Sequence, residues 1–252
     1  MFGVNFNLHE SELEMTETVL EKNNLRQRLT DVRRRIELAA MRVNRAPEEI
    51  TLIAVSKTHP SEIIREAIAA GALDFGENRV QEAESKIIEA GRYRARWHLI
   101  GHLQSNKARK AVKLFDVIHS LDSIELAAKL NRICEENDRQ ELPVLVQVDL
   151  AGEKTKTGIA EENLSELVDA IKNLPRLRLI GLMILPPYFE EAEKVRPYFR
   201  RLRELRDKLK IQNAFANARG ELSMGMSHDF EIAIEEGATF VRVGTAIFGE
   251  RA

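Results

Sequence analysis

After Pro47 the chain repeats one pattern eight times: a short apolar run suited to a buried strand, then a stretch of helical periodicity. The runs are T-L-I-A-V-S (51–56), L-D-F-G (73–76), W-H-L-I-G (97–101), V-I-H-S-L (117–121), P-V-L-V-Q-V-D-L (143–150), L-R-L-I-G-L-M-I-L (177–185), L-S-M-G-M (222–226) and F-V-R-V-G (240–244). The helical stretches fall at roughly 60–71, 78–91, 104–113, 123–138, 161–173, 190–211 and 228–236. Several runs are continuously apolar, which suits parallel strands covered by helices on their outer side. The alternation predicts an α/β protein with a single (β/α)8 barrel of TIM type. An open doubly wound sheet is the alternative, weakened because no G-x-G-x-x-G follows an early strand. The eighth unit is short, since its strand ends near Gly244. An extra helix over 25–45, with Leu25, Leu29, Val32, Ile36 and Val43 on one face, is expected to cover the surface an eighth helix would cover. Residues 1–24 are polar, acidic and weakly periodic and read as a flexible tail; 25–252 read as one domain.

Composition narrows the function classes. A 252-residue chain with 44% hydrophobic residues can bury a large core, and its net charge of -2 points to neither nucleic acid nor an anionic membrane. The R-R-R run at 33–35 and the basic group Lys107, Arg109, Lys110 and Lys113 read as solvated helix faces. Cys134 is the one cysteine, which excludes a disulfide framework and a Cys-based zinc site within one chain. Its helical phase with Leu126 and Leu130 makes it a small core residue. No signal peptide or membrane span is visible, so a cytoplasmic address is expected.

In a barrel the working face lies at the C-terminal ends of the strands. Those ends carry Ser56-Lys57, Glu77-Asn78, Gly101 to Gln104, His119-Ser120, Asp149, Pro186-Pro187-Tyr188, S-M-G-M-S-H-D and R-V-G-T. The loops after the last two strands are where barrels frequently hold a phosphate. Ser227 reads as a helix cap with free N–H groups behind it, and Gly244-Thr245 adds a backbone of close approach and a hydroxyl. Period two puts Arg242 on the face of Gly244, where a permanent cation needs a partner such as a ligand, Asp149 or Glu77. Lys57 follows a buried strand directly, and a partly desolvated lysine near other cations has a lowered pKa and a nucleophilic amine. A carbonyl compound that also bears a phosphate fits this set: pyridoxal 5′-phosphate (PLP) or a sugar phosphate. The histidines His59, His98, His102, His119 and His228 lack the carboxylate company of a metal site and read as pocket lining or core hydrogen bonding.

The motifs A-V-S-K (54–57), F-G-E-N-R-V-Q-E (75–82), W-H-L-I-G-H-L-Q-S-N-K (97–107), G-L-M (181–183), L-S-M-G-M-S-H-D (222–229) and V-R-V-G-T-A-I-F-G (241–249) closely resemble those of the pyridoxal phosphate homeostasis protein family. The resemblance spans roughly residues 25–252. It implies a barrel like the N-terminal domain of alanine racemase, with no second domain after it. It implies PLP as cofactor, held as an internal aldimine on Lys57 and released by transimination. Ser227, Gly244 and Thr245 match phosphate contacts, Arg242 matches the arginine facing the pyridine nitrogen, and Asn78 lies in a pocket-lining motif. A role in intracellular PLP (vitamin B6) homeostasis follows, without an established catalytic reaction. PLP-requiring apo-enzymes are the implied recipients, and a monomer is expected. The alternatives are a weak PLP-dependent amino-acid racemase or lyase, and a cofactor-free Schiff-base enzyme on a sugar phosphate.

Overall fold

Strand runs that are apolar on both faces need cover on both faces, and the chain supplies it by closing a sheet on itself. The computed structural model describes residues 6–152, 157–216 and 219–249, and side chains from Asn24 onward. The parallel strands β1 (Thr51–Val55), β2 (Asp74–Glu77), β3 (Arg96–Leu99), β4 (Val117–Leu121), β5 (Leu142–Asp149), β7 (Leu177–Met183), β8 (Glu221–Ser223) and β9 (Phe240–Val243) form a ring. β9 pairs with β1 in parallel, Ala54 opposite Val243, and β4 pairs with β5, so the barrel has no free edge. The two-residue strand β6 (Ile159–Ala160) adds only to the end of β5. The closed barrel excludes the open doubly wound sheet.

Between the strands run α2 (Ser61–Ala69), α3 (Val80–Ala90), α4 (Ala108–Leu114), α5 (Ile124–Glu136), α6 (Leu164–Lys172), α7 (Arg196–Ile211) and α8 (Phe230–Glu235), and α9 (Thr245–Phe248) follows β9. Each longer helix turns one apolar stripe inward; in α7 these are Phe199, Leu202, Leu205 and Leu209. That stripe and the outward strand residues, among them Phe75, Trp97 and Ile118, make one continuous apolar shell. Cys134 belongs to it and is fully buried. Inside the ring sits a smaller cluster of Ile53, Val117, Leu145, Ile180, Met183 and Phe240.

Helix α1 (Phe6–Arg42) packs against α8 and α9, where the last barrel helix has only four residues. Leu25, Leu29, Val32, Ile36, Ala39 and Ala40 are buried there. The helix begins at Phe6 rather than near Leu25, so most of the segment expected as a tail is helical; residues 1–5 lie outside the described residues. It ends at Arg42, and Val43 beyond it is only half-buried. Two arginines of the run at 33–35 also differ from a solvated face. Arg33 donates to Gly71 O, and Arg35 grips both oxygens of Glu231 at 2.8 and 3.0 Å while lying 4.5 Å over the Phe230 ring. Arg28 Nε donates to Ile247 O at 2.7 Å. The polar side of the helix is thus partly used to fasten it to the seam. No described helix is long and apolar enough to cross a membrane.

Candidate functional site at the C-terminal mouth of the barrel

The end of β1 is anchored by a buried ion cluster. Ser56 Oγ donates to Glu77 Oε1 at 2.6 Å, and Lys86 Nζ donates to Ser56 O at 2.8 Å, to Glu77 Oε1 at 3.0 Å and to Glu82 Oε1 at 2.6 Å. Glu82 also accepts the backbone N–H of Thr58, whose φ of 68° is left-handed and costly for a β-branched residue. His59 N closes the turn on Ser56 O. Lys57 therefore projects, half-buried, from a backbone that cannot swing. Burial pushes Glu77 above the usual carboxylate range, while Lys86 and Ser56 oppose that push.

Asn78 is half-buried at the end of β2. Its backbone lies so close to Gly101 that a Cβ there would strike Asn78 O, so only glycine lets these two loops meet. A cleft of about 740 Å³ opens beside Asn78, lined also by Arg79, Glu82, His102, Gln104 and Lys107. Lys107 thus belongs to this cleft, and Arg109 and Lys110 pair with Glu136 and Glu84.

Ser227 does not cap α8. Its Oγ accepts hydrogen bonds from Gly244 N at 3.2 Å and Ala246 N at 3.4 Å, joining the loop after β8 to the loop after β9. Asp229 holds the N-cap position of α8, but its side chain accepts from Met226 N at 2.6 Å, in the preceding loop, rather than from the helix. Burial raises the Asp229 carboxyl, against that bond and the charge of Arg242. Glycine at 225 allows the turn: its φ is +91°, and a Cβ would come 2.6 Å from Ala233 Cβ. Thr245 is exposed beside Gly244.

Arg242 is buried and points into the lumen. Nη1 donates to Ser223 Oγ at 2.6 Å and Nη2 to Ile184 O at 2.8 Å. The two carboxylates considered from sequence are engaged elsewhere: Glu77 holds Lys86, and Asp149 caps Ala151 N and Gly152 N. Burial pushes the guanidinium down to about 10, opposed by Asp229, so it stays charged near neutrality.

Since Ala54 pairs with Val243, Lys57 and Gly244-Thr245 leave neighbouring strands on the same rim. Lys57, Asn78, Ser227, Arg242, Gly244 and Thr245 thus all belong to the mouth or the lumen directly beneath it. Tyr188, the tyrosine nearest a strand end, is exposed and stacks on His228 at 5.6 Å between ring centres. Sequence reading missed Ser223 and Lys86 as members. The Glu82–Lys86 spacing of four residues was the available signal for the latter. Among the described residues no group of three or more His, Cys, Asp or Glu side chains is arranged to hold a metal.

Residues 28–252 match the family model for the alanine racemase N-terminal domain. The pyridoxal phosphate homeostasis protein of Aquifex aeolicus is 46% identical over 228 residues, covering 90% of this chain and 99% of that protein. Its counterpart from Escherichia coli is 44% identical over 239 residues, covering 91% and 97%. PipY of Synechococcus elongatus, solved with PLP bound, is 41% identical with a TM-score of 0.78, covering 89% of this chain and all of that one. With identities this high over nearly whole chains, this chain belongs to the pyridoxal phosphate homeostasis protein family, built on the alanine racemase N-terminal domain fold.

Proposed function

We propose that this chain binds pyridoxal 5′-phosphate at the barrel mouth, covalently through Lys57, and serves intracellular PLP (vitamin B6) homeostasis. The observation that carries the reading is the placement of Lys57 and the Ser227–Gly244–Ala246 cradle on adjacent strand ends of one rim. PipY supports it, being 41% identical and solved with PLP bound.

The donor set fits the cofactor. Two backbone N–H groups already converge on one oxygen, the Ser227 hydroxyl, as they would on a phosphate oxygen. A Cβ at residue 244 would come 3.2 Å from Val55 O, so glycine lets the end of β9 lie close against the end of β1. Ser227, Gly244 and Thr245 would hold the phosphate, Arg242 would donate toward the pyridine nitrogen, and Asn78 would line the ring pocket. When bound, the cofactor supplies an aldehyde that a neutral amine can attack. Lys57 supplies that amine. The bonds on either side of this residue keep the base of its side chain at one place on the rim. Arg242 donates an N–H and cannot accept a proton, which favours a neutral ring and a weak electron sink. That would suit carriage better than catalysis: Lys57 would give up its bond to the cofactor in exchange for an incoming amine, which then carries the cofactor, and would recover its own free amine, with apo-enzymes that require PLP as the recipients. A single domain acting in the cytoplasm as a monomer completes the reading.

The test is incubation with PLP, borohydride reduction and peptide mass mapping. The expected result is a phosphopyridoxyl adduct on Lys57 and a near-visible absorption band before reduction. Absence of both overturns the reading.

A further inference from the structure

The lumen holds a polar chain that the mouth alone does not explain. Ser223 Oγ, which accepts from Arg242 Nη1, lies 2.8 Å from His119 Nδ1. His119 Nε2 lies 2.9 Å from His98 Nδ1, and His98 Nε2 lies 2.9 Å from Asp74 Oδ1. Five side chains from β9, β8, β4, β3 and β2 therefore form one file through the barrel. Asp74 is the first residue of β2, and it lines a separate cavity of about 350 Å³ at the opposite end, beside α1. The file thus runs from beneath the proposed cofactor ring to the far rim.

Its ends fix the order of its protons. A guanidinium only donates, and an ionised carboxylate only accepts. Ser223 Oγ therefore accepts from Arg242 and turns its own proton to His119 Nδ1. His119 then carries its proton on Nε2 and gives it to His98 Nδ1. His98 carries its proton on Nε2 and gives it to Asp74. Each link has one donor and one acceptor, and both rings are neutral. Burial lowers both imidazoles, His119 furthest, which agrees with that state.

Filling the lumen does not need such a file. Ile53, Val117, Leu145, Ile180, Met183 and Phe240 fill the rest of it with apolar groups. Two imidazoles and a hydroxyl in the same space lose hydration and recover it only through these bonds. What the file adds is direction: each bond polarises the next, between a cation at one end and an anion at the other.

We propose that Asp74, His98, His119 and Ser223 are positioning residues for Arg242, a one-way hydrogen-bond relay that holds the guanidinium as a fixed donor toward the pyridine nitrogen. The proposal rests on the PLP reading above. The carboxylate at the far rim then tunes how the mouth holds a heteroaromatic ring.

The first test uses the wild-type protein without cofactor. Isotope-labelled histidine NMR assigns protonation and tautomer ring by ring. Neutral Nε2–H forms of His98 and His119 between about pH 6 and 9 are expected, spanning the usual imidazole range. A charged ring or an Nδ1–H form at either position overturns the relay. The second test compares wild type, His119→Phe and Asp74→Asn for thermal midpoint, PLP dissociation constant and the NMR shift of the pyridine nitrogen in labelled PLP. Asp74→Asn keeps shape and an acceptor oxygen while removing the charge, so the fold is retained. Binding about tenfold weaker for His119→Phe and about threefold weaker for Asp74→Asn, with a moved pyridine signal in both, is expected for loss of a buried polar link. A lowered midpoint with unchanged affinity and signal overturns the proposal, leaving the file as packing alone. Failure of wild type to bind PLP overturns the reading beneath it, an outcome the first test does not depend on.

Discussion

The barrel has two interiors, and they are built differently. The shell between strands and helices is continuous and apolar, with Trp97, Phe75, Phe115, Phe199 and Phe230 fully buried in it. The lumen is small, and its six apolar residues share the space with Arg242, His98, His119 and Ser223. Burying an aromatic or leucine side chain in the shell contributes roughly 1.5–3 kcal/mol each. A buried guanidinium or imidazole contributes little net stability, because desolvation offsets its bonds. The shell therefore carries most of the folding free energy, and the lumen is free to carry chemistry. That is why polar and charged side chains can occupy the lumen and its rim without weakening the fold.

Substitutions can break or sharpen that division. The largest effect is expected from Lys57→Ala, which should abolish the borohydride-trapped adduct while moving the unfolding free energy by less than about 0.5 kcal/mol. Urea denaturation beside mass mapping reads both, and a large stability loss would place Lys57 in the structural set. Next is Phe199→Ala in the shell, which should cost about 3–5 kcal/mol. Its folded fraction should still trap PLP on Lys57. Arg242→Met comes third. Stability should change by no more than about 2 kcal/mol in either direction, because a buried charge leaves with its bonds. PLP affinity should fall at least about tenfold, as expected when a charged donor is lost. A stability loss matching that of Phe199→Ala would erase the distinction between the two interiors.

The smallest effect lies outside both interiors, where the buried Glu236 carboxylate meets partly exposed arginines. Glu236 is pushed up by burial but brought net below the usual carboxylate range by hydrogen bonds from Arg200 and Arg196 and the charge of Arg203. A carboxylate lowered in the folded state adds stability above its unfolded pKa of about 4.3, and that stability is lost as pH falls through the folded value. Glu236→Gln should flatten the acid limb of a stability–pH curve by under about 1 kcal/mol, since Arg200 and Arg203 are partly exposed and screened. An unchanged acid limb would remove this cluster from the account.

The shell was legible in the sequence because its two periods, 3.6 in the helices and apolar runs in the strands, are local signals. The mouth was legible for a related reason: each strand end is a local feature, and Lys57, Asn78, Arg242 and Gly244 fall on such ends or just before them. The relay was not, because its members lie on five strands and period two gives only the face of a residue, not its partner. Ser227 shows the same limit. A serine before a helix reads as a cap, and only the fold reveals that it bridges to Gly244 and Ala246. Lys86 resembles any helix lysine until the strand ends bring Ser56 and Glu77 beneath it. The start of α1 was missed because residues 6–24 carry no clear apolar stripe; their Glu, Leu and Met content favours a helix through backbone propensity instead.

The pairing of β1 with β9 also sets an order of events during synthesis. Thr51 is opposite Phe240, so a strand made early waits for one made late. Chains fold from the N-terminus as they leave the ribosome, and long-range strand pairing is the slow part of assembly. Until β9 emerges, β1 has a bare edge on that side and Lys57 has no cradle beside it. The two loops that hydrogen-bond through Ser227 therefore meet on this rim only when the ring is complete. A ligand held between Lys57 and that cradle, as proposed above, would report that the barrel has closed.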